Sequence, residues 1–133
     1  MIKMMIPAIA ATMIAMPASA KPSLRDVPAV YNALLAVGLA DEIRNQCPNI
    51  TARYFKALRF VYTVRDKARE MGYSDAEIEA YRSSDAEKAH MKAEGDAYLS
   101  ANGVTVGNKQ SYCTLGRAEI KKSSQIGALL RVN

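Results

Sequence analysis

Cys47 and Cys113 stand 66 positions apart in a chain of 133 residues, with no third cysteine to compete for either. If the chain enters an oxidising compartment, an even and minimal count of this kind reads as one long-range disulfide. Such a bridge closes a loop whose lost entropy in the unfolded chain is worth about 4 kcal/mol on the chain-entropy account. That is a large share of a total stability of roughly 5 to 15 kcal/mol. The competing readings are weaker: two thiols and a single histidine fall short of a usual zinc set, and a redox pair wants its cysteines two residues apart. Whether the thiols oxidise depends on where the chain goes.

The first 20 residues, MIKMMIPAIAATMIAMPASA, predict export. Lys3 supplies a positive start, Met4 to Met16 an uncharged apolar stretch, and Ala18-Ser19-Ala20 the small residues that a signal peptidase requires. A retained anchor fits less well, because Met4 to Ala20 is at the short limit for crossing a bilayer and holds Pro7 and Pro17. We therefore expect residues 1–20 to be a cleaved signal peptide and residues 21–133 one helical domain in the periplasm, with no membrane anchor left after cleavage. No cysteine near the cleavage point could take a lipid. Five of the seven methionines lie in the signal, so a methionine-rich copper site is excluded.

Half of the residues are hydrophobic and 23% charged, which excludes a disordered tail, a collagen-like chain and a polytopic membrane protein. No proline follows Pro48, so the rest of the chain is free to be helical. Helical spacing over 27–47, with Asp26 as cap and Pro48 as stop, predicts a first helix. A second is predicted from Thr51 to Met71, ended by Gly72, and its many apolar residues suggest the central helix. Ser-Asp-Ala-Glu occurs twice, at 74–77 and 84–87, and each copy is a capping box that starts a helix. The expected helices run from Asp75 to about Arg82 and from Asp85 to about Ala101. After a loop at 102–110, Ser111 is expected to cap a last helix reaching about Lys122, followed by an apolar run, 125–130, docked on the core. The fold class expected is all-α: a small bundle of four or five helices stapled by one disulfide.

Charge is patterned along the chain. Residues 51–72 hold six basic and two acidic residues, 73–99 three and seven, and 100–133 five and one. The first two segments offset each other if they are neighbours. The C-terminal excess has no such counterpart, so Arg117, Lys121, Lys122 and Arg131 are the expected contact surface for an acidic periplasmic protein. Cations interleaved with Tyr54, Phe55, Phe60 and Tyr62 superficially suggest nucleic-acid binding. Inward aromatics with snorkelling cations account for the same pattern, and export removes most nucleic-acid partners. His90 is the only histidine and is expected to be a solvated surface residue, with Glu87 and Glu94 within helical reach. No phosphate loop, haem motif, nucleophile elbow or zincin helix occurs, so no cofactor, metal or catalytic residue is assigned. Binding is expected rather than catalysis. The alternatives are a small hydrolase or transferase pairing His90 with a carboxylate or with a serine such as Ser111, Ser123 or Ser124, or a carrier of a small apolar ligand.

Three segments carry a family resemblance: Ala40-Asp41-Glu42-Ile43-Arg44 with Cys47-Pro48, the run from Met71 to Ile78, and Cys113 to Ile120 with Ser124 to Arg131. In these the chain resembles a domain-of-unknown-function family of small exported alphaproteobacterial proteins. The resemblance implies a mostly helical, two-cysteine protein of a Gram-negative periplasm, and carries no catalytic residue with it.

Overall fold

A computed structural model describes residues 21–133 and contains five α-helices and two short strands. The expected signal peptide lies outside the described residues. A 3-10 turn at Leu24–Asp26, capped by the Ser23 hydroxyl, leads into α1, Pro28–Gln46. Asp26 closes that turn rather than capping α1. Pro28 opens the helix instead, its fixed φ suiting the first turn, where no amide partner is needed. At the other end Cys47 is extended, as a residue before proline prefers.

The central helix is α1, not the second helix. It buries Val30, Tyr31, Ala33, Ala36, Leu39, Ala40 and Ile43, and it packs against every other helix except the short one at 75–83. Its three buried alanines allow neighbours to approach closely. The second helix starts later than expected, because Ile50–Ala52 forms a strand, β1. This strand pairs antiparallel with β2, Leu130–Val132, in the register Ile50↔Val132, Thr51↔Arg131 and Ala52↔Leu130. β-Branched Ile50 and Thr51 suit an extended chain, and the C-terminal apolar run is docked as expected, partly as a strand. The second helix, α2, spans Tyr54–Glu70 and buries only Val64 and Ala68. Gly72, at φ +93°, ends it in the left-handed region as its sequence position requires.

The capping residues place α3, Asp75–Ser83, and α4, Asp85–Ala101. Ser74 and Glu77 close a complete box. In the second copy Ser84 accepts from the Glu87 amide, but the Glu87 carboxylate is drawn away to Arg25 at 2.9 Å. The last helix, α5, spans Lys109–Lys121 and is capped by Asn108 rather than Ser111. The Ser111 hydroxyl donates instead to loop carbonyls and accepts from the Thr105 amide.

Cys47 and Cys113 are joined in a disulfide and buried in the larger of two apolar clusters, which gathers α1, α5 and the C-terminal segment. The bridge therefore fastens the end of α1 to α5, as expected. Gly116 lies where α5 meets Ile43 and Ile50, and Gly127 lies against the Glu119 carbonyl; neither has room for a Cβ. The second cluster joins the start of α1 to Val64, Ala68 and Tyr73.

Candidate functional site

The aromatics of α2 face outward. Tyr54 is 66% and Phe55 77% exposed, and Leu58, Val61 and Tyr62 continue the same helical face at intervals of three or four residues. Tyr54 and Phe55 pack edge to face with ring centroids 5.5 Å apart, and the Arg65 guanidinium lies 4.8 Å from the Tyr62 ring. The expectation that these rings turn inward is thereby overturned. With α1 at the centre, α2 is held to the bundle by its other edge, through Val64, Ala68 and the half-buried Ala57 and Phe60. Contiguous exposed apolar surface of this kind marks an interaction face on a folded domain.

The charges of α2 are less offset than the segment totals suggest. Among the described residues, Arg69 to Asp75 at 2.6 Å is the one ion pair between α2 and α3. It holds the Asp75 carboxyl below its ordinary value, chiefly through the hydrogen bond. Arg53, Lys56, Arg59 and Lys67 are exposed and make no ion pair within the described residues. Arg59 flanks the stripe one turn beyond Phe55, and Arg65 extends it one turn beyond Val61.

Of the four C-terminal cations, two are engaged within the fold and two are free among the described residues. Arg117 and Lys121 are exposed one turn apart on α5, Lys122 pairs with Glu119 at 3.0 Å, and Arg131 on β2 donates to the Thr51 hydroxyl at 3.3 Å. His90 lies on α4, 3.9 Å from Glu94 and with its ring 6.0 Å from that of Tyr31. The serines considered as its partners are used elsewhere, Ser111 in the 102–110 loop and Ser124 on the Glu119 main chain. Among the described residues no group of three or more metal-ligating side chains converges, and no helix is long and apolar enough to cross a membrane.

Glu119 was not singled out in the sequence, yet it is the one charged residue with no exposed surface among the described residues. Its carboxylate accepts from the Tyr98 hydroxyl at 2.6 Å and from Lys122. Burial pushes this carboxyl up, but hydrogen bonding by Ser124, Tyr98 and Lys122 outweighs it and holds the group below its ordinary value. Burial first, and then the bond to Glu119, push the Tyr98 phenol up to about 12.

A five-helix bundle stapled by one disulfide, with an unpaired aromatic and basic helix face, is the class of protein that these features define. The chain belongs to a family of unknown function, DUF5333, whose model matches residues 22–131. No curated protein matches the chain, and no solved structure does.

Proposed function

We propose that this is an exported, non-catalytic binding protein of the cell envelope whose α2 face takes up an acidic segment of a partner protein. The exposed stripe from Tyr54 to Tyr62, with cations that find no ion-pair partner among the described residues, carries the reading. Apolar anchors would supply contact energy, and Arg53 and Arg59 would supply orientation and encounter rate. Export rests on the composition of residues 1–20 and fits a buried disulfide, which persists in oxidising compartments.

Other occupants fit less well. A second copy of the chain would bring one set of cations against another. An anionic bilayer would attract α2 but find no free cation among the described residues on the α3 side, where Arg69, Lys21 and Arg82 are taken by Asp75, Glu77 and Glu79. A peptide segment is narrow enough to meet the stripe alone.

The test is a photoreactive residue at Phe55 or Leu58 in the exporting cell, with Lys109 on α5 as control. A crosslinked protein with an acidic segment is expected at both α2 positions and not at 109. It should be lost with Arg59→Glu and weakened as ionic strength rises from about 0.1 M to about 1 M, which shortens the screening length from about 10 to 3 Å. Crosslinking to lipid, or to a second copy, or indifference to Arg59→Glu, overturns the reading. Because these side chains are exposed, the variants should stay within about 0.5 kcal/mol of the parent in stability.

A further inference from the structure

Beneath the C-terminal half of the α2 stripe lies a cavity of about 500 Å³ between α1, α2 and α3. Its walls are mainly apolar, with Leu34 from α1, Val61 and Val64 from α2, and Ile78 from α3. The size falls within the range of small-molecule sites, which are typically apolar with a few polar groups that fix orientation.

The charged lining is unbalanced by one arginine. Arg69, Arg82 and Arg65 line the cavity, together with Asp75 and Glu79. Arg69 is taken by Asp75 at 2.6 Å, and Arg82 by Glu79 at 2.9 Å. Arg65 lies over the Tyr62 ring, and its one ion pair among the described residues is with its sequence neighbour Asp66, at 3.4 Å and outside the cavity, a carboxylate shared with Arg69. The Arg65 Nε is buried and has no hydrogen-bond partner among the described residues. Buried donors left unpaired cost free energy, and an acceptor brought by a ligand would remove that cost.

We propose that this cavity binds a single-chain amphiphile with a compact, singly charged carboxylate head, the chain lying among Leu34, Val61, Val64 and Ile78 and the head on Arg65. The one surplus positive charge selects a monoanion, and a fork of guanidinium donors suits a carboxylate. The site lies apart from Tyr54, Phe55 and Leu58, shares Val61 and Tyr62 with the end of the docking stripe, and goes beyond that reading.

Calorimetric titration of the disulfide-intact protein at neutral pH, with decanoate and decanol each below its aggregation limit, tests the proposal. Decanoate is expected to bind at one site per chain, roughly tenfold or more tighter than decanol, the order expected for a charge-assisted hydrogen bond. Arg65→Gln should reduce decanoate to the level of decanol and leave decanol unchanged. The Arg65 side chain is 41% exposed, so this variant should fold and decides the matter alone. Ile78→Trp, which fills the cavity, should abolish both. Phe55→Ser and Arg59→Glu should change neither, which separates failure here from failure of the docking face. Absence of decanoate binding, equal affinity for the two probes, or a preference that survives Arg65→Gln overturns the proposal.

Discussion

Replacing Cys47 by alanine is expected to lower the unfolding free energy by about 4 kcal/mol, read from urea denaturation at neutral pH. The bridge closes a 66-residue separation that includes α2, α3 and α4, so the unfolded chain gains most of its freedom there when it is cut. Both sulfurs lie in the core beside Ile43, Ile50 and Leu129, and truncating Cys47 also opens space among them. Reducing the parent with a thiol should reproduce most of the loss, whereas the Cys47→Ala variant should not respond to reductant. An unchanged urea midpoint after complete reduction would falsify the view that the disulfide holds α5 to the end of α1.

Local chemistry was legible wherever it was strong. Ser74 and Ser84 start their helices where the two capping boxes place them, and Gly72 ends α2 in the left-handed conformation that a side chain resists. Weaker signals misled. Ser111 and Asn108 are both good caps, and only the loop decides between them, by engaging the Ser111 hydroxyl with Thr105. Strands β1 and β2 are three residues each, and their pairing joins Thr51 to Arg131 across 80 positions, so no short window contains it. The apolar tail could be seen as docked, but not as a strand.

The larger misreading concerned direction. An amphipathic pattern shows that a helix has an apolar face without showing what the face meets. The ring-rich helix α2 reads as the natural centre, yet α1 buries more with smaller residues, because Ala33, Ala36 and Ala40 let other elements come close on several sides. What remains of α2 is the candidate docking face, whose residue types were visible while their exposure was not. The cavity beneath it depends on how three helices meet, and nothing local encodes it. Glu119 had a signal that went unused. Tyr112, Leu115, Gly116 and Glu119 fall at helical spacing on one face of α5, so the single acidic residue of a basic segment sits on the stripe that must face inward.

Replacing Glu119 by alanine is accordingly expected to cost about 2 to 4 kcal/mol at neutral pH, from a buried acceptor lost and a cavity opened. Tyr98 loses its only side-chain acceptor and Lys122 its ion pair. Glu119→Gln should cost less, because an amide oxygen can still accept from Tyr98 in nearly the same volume. The two parents of that loss separate by pH. A carboxyl held below its ordinary value contributes stability that is present above its unfolded pKa, near 4.3, and disappears as pH falls through the lower folded value. The parent should therefore lose its advantage over Glu119→Gln on acidification through that window, the two curves converging from a constant gap above about pH 5. Asp75, Glu77 and Glu79 are also held low, mainly by hydrogen bonds from Arg69, Lys21 and Arg82, and titrate in the same window. They are exposed, common to both proteins, and cancel in the difference. A gap between parent and Glu119→Gln that stays constant from neutral pH down to about pH 3 would mean that Glu119 titrates alike in the folded and unfolded chain, so that its partners do not favour the carboxylate.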